Sequence, residues 1–389
     1  MSDASIIQKS FKGWKIWMAI ALGLLVAGWM VYRSVSEVHF LKVEKGHGNY
    51  AWVDFNENGS VDLGNSKEFY LSADGEYRKQ KLSDILSAIS WTNQSFIWLI
   101  IAILFVVGRD FFYMWRIRLL THYDLSWKSS FYVILLWEFA SALSPGVVGG
   151  AAVAMFILHK EKIELGRATA IVFITAMMDN LFYVIMIPFV FLFIDSAQLF
   201  PRAIEGSMRI EWVFWIGFSA ILLACLFLFS SIFLFPSLAT WLLKSVFSLP
   251  ILRRWKDKAI QTGKDIETSS KVMRNESFGY WLKIFGLTCA SWTSRYLVIN
   301  AILQAFLHLG FIDHIIILGK QLVLWLFMLV SPTPGGSGVA EFAFGELLIS
   351  FSQSTLLLAA LAILWRLISY FPYLFIGAFL LPRWLKKNN

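Results

Sequence analysis

Ser331-Pro332-Thr333-Pro334-Gly335-Gly336-Ser337-Gly338 cannot continue a helix, yet it lies between two apolar runs, 315–330 and 342–350, and Glu341 follows it directly. Proline lacks the N–H that a helix interior needs, and glycine loses more conformational freedom there than any other residue. In lipid, an unpaired amide or carbonyl costs several kcal/mol. Irregular backbone at membrane depth therefore occurs only where protein buries it or where it lines a watery cavity. A broken element closed by an acid points to a substrate-handling site inside a membrane protein.

The rest of the chain supplies that membrane context. Its 389 residues are 58% hydrophobic and 15% charged, with 35 Phe and 18 Trp, more apolar surface than a soluble chain of this length can hide. Several stretches reach the 18 apolar residues needed to cross a core of about 30 Å. The expected fold is an all-α polytopic membrane protein with about six full spans, two re-entrant helical hairpins and a small β-rich extracytoplasmic insert. The net charge of +8 then reflects membrane orientation, and no nucleic-acid partner is expected. Cys225 and Cys289 both fall inside spans, which leaves no disulfide framework.

Basic residues set the orientation. Lys9, Lys12 and Lys15 precede a first span at 14–31, which lacks a small-residue cleavage site and reads as retained. Residues 1–34 thus form a cytoplasmic N-terminus and first span, and 35–90 an extracytoplasmic insert with nine acidic and six basic residues. Alternation over 50–55 and turns at Asn58-Gly59 and Asp74-Gly75 predict a small β-meander there. The run Asp54-x-Asn56-x-Asn58-Gly59-x-x-Asp62 also matches the first nine positions of a calcium loop. Its twelfth position is Asn65, where such loops place a bidentate Glu, so a hairpin turn is the simpler reading.

A first membrane repeat occupies 91–235. Span 96–115 ends at a basic cytoplasmic loop with Arg116, Arg118 and Lys128. The apolar stretch 129–158, broken at Pro145-Gly146 and Gly149-Gly150, returns to basic flanks on the same side. Two arms of roughly 15 residues reach only ~22 Å, which predicts a re-entrant hairpin. Spans 168–194 and 212–235 follow. The segment 236–280 is basic and cytoplasmic, either an amphipathic helix on the anionic leaflet or an ordinary positive-inside loop. The second repeat, 281–389, has span 281–306, a hairpin over 315–350 entered from outside, and span 356–381, and ends inside at Arg383, Lys386 and Lys387. Span–hairpin–span twice, in opposite orientations, is the inverted-repeat pattern of secondary transporters.

Ionisable residues within spans are costly and mark function or interspan pairing. Glu138, Asp179, Arg295, Glu341 and Arg366 qualify. In the functional reading, the arginines take an anionic head group and the carboxylates balance charge or relay protons. In the structural reading, pairs such as Glu341–Arg366 only hold the bundle together. Arg109 and Asp110 read as a pair within their own span. The tips Gly149–Ala151 and Gly335–Gly338 offer free amides that suit a phosphate, although glycine also serves close helix packing. No P-loop, dinucleotide fingerprint, metal-ligand spacing or nucleophile elbow occurs, so neither an enzyme nor a cofactor is expected.

Three motifs then resemble the lysylphosphatidylglycerol synthase membrane-domain family, also called flippase-like domain proteins. They are Ser144-Pro145-Gly146-Val147-Val148-Gly149-Gly150 with Leu165-Gly166-Arg167-Ala168-Thr169-Ala170-Ile171; Pro332-Thr333-Pro334-Gly335-Gly336-Ser337-Gly338-Val339-Ala340-Glu341; and Trp365-Arg366-Leu367-Ile368-Ser369-Tyr370-Phe371-Pro372. The resemblance covers roughly 95–385. It implies an inner-membrane, multi-pass lipid translocase with anionic or aminoacylated phospholipids as partners, and a homo-oligomer is compatible with it. The sequence has Ala151 and Ala154 where many relatives place polar or basic residues. It lacks the soluble aminoacyl-transferase domain of the synthase members, so lysyl transfer is not expected. The alternatives are an ion- or proton-coupled transporter of a small soluble anion, and a non-transporting envelope scaffold.

Overall fold

The computed structural model describes residues 39–55, 61, 66–80, 91–144, 148–200, 210–235, 237–249, 273–329, 335–336, 339–352 and 355–387, with eight single positions between 253 and 267. The first expected span (14–31), most of the calcium-like run, and Pro145, Gly146, Pro332, Pro334 and Gly338 lie outside the described residues.

Four strands precede the helices: β1 (His39–Lys42), β2 (Gly48–Trp52), β3 (Phe69–Gly75) and β4 (Tyr77–Gln80). They form an antiparallel sheet of order β1-β4-β2-β3 around Phe40, Phe69 and Tyr77. A meander would keep chain order, and this sheet does not. The predicted turn at Asp74-Gly75 is a bend: β3 pairs with one edge of β2, and β4 pairs with both β1 and the other edge of β2. Two glycines permit that wrap, because a Cβ on Gly48 or Gly75 would lie 2.5 Å from the backbone of Tyr77 or Tyr50.

The helices are α1 (Asn93–Leu120), α2 (Trp127–Leu143), α3 (Val148–Lys160), α4 (Leu165–Phe191), α5 (Ser196–Leu199), α6 (Ile210–Phe229), α7 (Ser237–Val246), α8 (Phe278–Phe306), α9 (Phe311–Leu329), α10 (Val339–Leu348), α11 (Thr355–Ser369) and α12 (Phe371–Lys387). Among the described residues, five stretches are long and apolar enough to cross a membrane: Asn93–Leu120, Leu165–Phe191, Glu211–Leu234, Phe311–Met328 and Ala360–Leu385. α8 has ample length at 29 residues, but Thr288, Ser291, Ser294, Arg295 and Asn300 make it more polar than those five. α9 alone spans ~28 Å at 1.5 Å per residue, longer than the arm expected for the second hairpin.

α1 shows how the bundle is built. A capping box between Thr92 and Ser95 starts it. Phe96, Ile100, Ile103, Val107 and Phe111 lie exposed along one stripe, while Ala102, Arg109, Tyr113 and Arg116 are buried on the other. This is the reverse of a soluble amphipathic helix, as expected where lipid is the solvent and polar groups must be satisfied inside. α1 packs most extensively on α8, and small residues set the crossing. Gly108 faces Ser294, and Ser291 Oγ donates to the Arg109 carbonyl at 3.1 Å.

Two hydrophobic cores result. One gathers the Leu120 end of α1 with α2, α3, the first half of α4 and α12. The other gathers the second half of α4 with α6, α8, α9, α10 and α11. Several helices change core part-way along. On α4, Met178 belongs to the first core and Phe182 to the second, and Asp179 and Asn180 lie between them. On α1 the change brackets Arg109, and between α11 and α12 it brackets Arg366. A polar layer is thus sandwiched between two apolar ones.

Candidate functional site

The polar layer is held by three arginine–carboxylate pairs, each between two different helices. Arg109 on α1 pairs with Glu138 on α2 and donates at 3.0 Å to Tyr373 Oη on α12. Tyr373 in turn donates to the Asp110 carboxylate at 2.8–2.9 Å. Arg116 on α1 donates at 2.6 Å to Asp179 on α4 and at 2.9 Å to Thr288 on α8. Asp179 also accepts from Trp292 Nε1 at 2.9 Å. Arg366 on α11 donates from Nε to Glu341 on α10 at 2.8 Å and from Nη2 to the Gly335 carbonyl at 3.0 Å. Breaking such a buried pair on one side strands a charge, at about 3–5 kcal/mol.

The end of α2 and the glycines ahead of α10 meet at Tyr370, where Pro372 interrupts the helix between α11 and α12. Proline at this place removes an amide donor and clashes with the preceding turn. Tyr370 Oη donates to the Ala142 carbonyl near the end of α2 at 3.0 Å, while its ring covers Gly335. Gly335 and Gly336 have φ of +58° and +68°, and a Cβ on Gly335 would lie 2.3 Å from that ring. Here glycine is required twice over, by backbone conformation and by close approach. On α3, a Cβ on Gly150 would meet Ser141 Oγ of α2.

A cavity of about 340 Å³ opens beside Tyr370. Its walls include Glu138 and Ser141 of α2 with Ser144 at its end, Thr175, Asp179 and Asn180 of α4, Arg295 of α8, Gly335 and Gly336, and Arg366. A smaller cavity of about 60 Å³ lies beyond it, toward the Asn93 end of α1, with Val106 and Arg109 in its wall. Arg295, Trp325, Met328, Arg366, Ser369 and Tyr370 line both and form the partition.

All five ionisable residues singled out in the sequence reach this layer, and four of them line the large cavity. Glu341 meets it through Arg366. Gly149 falls in α3, where its surroundings are not described, and Gly150 packs on Ser141 just behind the wall. Two expectations are corrected. Arg109 and Asp110 do not pair with each other, because consecutive helical residues point about 100° apart; each finds a partner on another helix. Arg116 is not in a cytoplasmic loop. α1 continues to Leu120, and Arg116 is buried against Asp179. The signal was present in the spacing: Arg109, Tyr113 and Arg116 share one helical face, opposite the exposed apolar stripe. Tyr373, an uncharged hub, carried no sequence signal.

The family model described as the lysylphosphatidylglycerol synthase TM region matches residues 70–377, reaching back into β3 and β4. A UPF0104 membrane protein of Archaeoglobus fulgidus is 26% identical over 294 residues, covering 72% of this chain and 85% of its own length. No solved structure matches.

Proposed function

This chain belongs to the lysylphosphatidylglycerol synthase TM region family, and we propose that it is a membrane lipid translocase without enzymatic activity. The supporting observation is the polar layer itself: a cavity lined by both hairpin tips, sandwiched between two apolar cores in a bundle whose outer faces suit lipid. A volume of about 340 Å³ takes a head group but not two acyl chains, which stay in the bilayer. The layer carries the head group past the apolar barrier, where an unshielded charge costs several kcal/mol. In this reading α2–α3 and α9–α10 are re-entrant hairpins of an inverted repeat. Gly335 and Gly336 follow Gly149 and Gly150 by 186 positions, and Arg295 follows Arg109 by the same number. The first span completes six crossings, both termini are cytoplasmic, and the membrane is the inner one.

The Arg366–Glu341–Gly335 cluster latches the second tip, and its release couples head-group passage to tip movement. Purified protein in liposomes with head-group-labelled phospholipids tests the proposal. Exposure of inner-leaflet label faster than in empty liposomes, for at least one of zwitterionic, anionic and lysylated lipids, is the expected result. No acceleration for any of them contradicts it, and would shift the reading to a small-anion transporter or a scaffold.

A further inference from the structure

Four arginines sit in the polar layer, and three of them are ion-paired: Arg109 with Glu138, Arg116 with Asp179 and Arg366 with Glu341. Arg295 is the exception. Its guanidinium lies 5.1 Å from the Trp292 ring centre and has no carboxylate within ion-pair reach among the described residues. A guanidinium carries five donors and stays charged at any accessible pH. Holding one without an acceptor inside a membrane bundle is costly unless water or a ligand supplies the acceptor.

Two further groups on the wall of the same cavity are unspent. Thr175 Oγ1 is buried with no hydrogen-bond partner, and the Asn180 side chain has none among the described residues. Both project from α4, either side of the occupied Asp179. The cavity wall therefore presents one guanidinium without an ion pair, one amide and one hydroxyl. Arg295 also lines the smaller cavity beyond the partition, so a group bound to it can pass from one side to the other without losing the contact.

We infer that Arg295, with Asn180 and Thr175, is the seat for a phosphodiester of a single negative charge. The inference deepens the translocase reading, on which it rests, by naming the part of the head group that is recognised. Charge count selects the diester. A monoester or a pyrophosphate brings a second negative charge that nothing unpaired in the lining balances, in a medium where isolated charge is expensive. Arg366, the other arginine considered for this role, is already held by Glu341 and the Gly335 carbonyl.

Binding is measured in detergent by ligand-induced thermal shift with dihexanoyl phosphatidylglycerol, dihexanoyl phosphatidic acid, glycerophosphoglycerol, inorganic phosphate and pyrophosphate. The wild type should bind the diesters most tightly. Arg295→Gln should weaken that binding roughly tenfold to a hundredfold, the worth of a charge-assisted hydrogen bond or two. Arg295→Lys, which keeps the charge but loses the fork, should retain part of it, and it reports on the site even if the Gln variant folds poorly. Equal binding by wild type and Arg295→Gln overturns the seat, as does tighter binding of phosphatidic acid or pyrophosphate than of the diesters. Binding of the lipid alone assigns a lipid diester; equal binding of glycerophosphoglycerol assigns a soluble one, and either supports the seat. A parallel liposome assay separates the two claims. If Arg295→Gln moves labelled lipid as fast as wild type, the seat fails and the translocase stands. If wild type binds through Arg295 but moves no lipid, the translocase reading fails and the seat stands.

Discussion

Arg109 and Arg295 sit 186 positions apart on the two helices that cross at the centre of the bundle, and their surroundings differ in kind. Arg109 is buried against Glu138, donates to Tyr373 and stacks with the rings of Tyr113 and Tyr373. Arg295 is half-buried, touches one indole and faces two cavities. The same residue type on two packed helices thus does opposite work. One neutralises a carboxylate and fixes α2 to α1 and α12; the other keeps its hydrogen-bonding capacity for something the chain does not supply.

That contrast can be broken by substitution. Arg109→Gln strips the ion-pair partner from half-buried Glu138 and should cost up to about 3–5 kcal/mol in thermal unfolding, the largest effect expected. The double variant with Glu138→Gln should recover much of that loss, and simple additivity of the two would mean the pair is not coupled. Gly335→Ala should cost about 1–3 kcal/mol, since it forces a side chain into positive φ and against Tyr370. Gly345→Ala is its control. Nothing lies within 4 Å of a Cβ there, and the helix should gain roughly 0.5–1 kcal/mol. Tyr370→Phe removes the bond to the Ala142 carbonyl and should cost about 0.5–1.5 kcal/mol, measured as a fall in melting temperature. Arg295→Gln should be the mildest, roughly within 0.5 kcal/mol of wild type, because no ion pair is lost. A large destabilisation by Arg295→Gln would erase the distinction between the two arginines.

The sequence made part of this layer visible for a simple reason: a charge inside an apolar run is conspicuous, and Glu138, Asp179, Arg295, Glu341 and Arg366 all stood out that way. Their partners were harder to read. Arg116 fell at the end of a hydropathy window, so it looked like the first residue of a loop, although the helix continues with its charged face inward. Arg109 has Asp110 as its sequence neighbour, but its ion pair is with Glu138 on α2, and the two neighbours meet only through the Tyr373 hydroxyl on α12. Tyr373 links two ionisable groups, Arg109 and Asp110, without being charged itself. The glycine tips were legible as breaks, but their convergence on Tyr370 depends on long-range packing that no local pattern encodes. The strand segments were likewise legible, whereas their order was not. Alternation specifies which face is buried, but not which neighbour a strand pairs with, and a bend at Gly75 resembles a turn.

The most direct measurement is the rate at which inner-leaflet, head-group-labelled phosphatidylglycerol becomes accessible in liposomes holding wild type, Glu341→Gln or Arg295→Gln. The wild type should exceed empty liposomes. Glu341→Gln, which loosens the latch on Arg366, and Arg295→Gln, which empties the seat, should each fall at least tenfold below it while remaining folded. Wild-type rates retained by both variants would contradict a polar layer that carries the head group across.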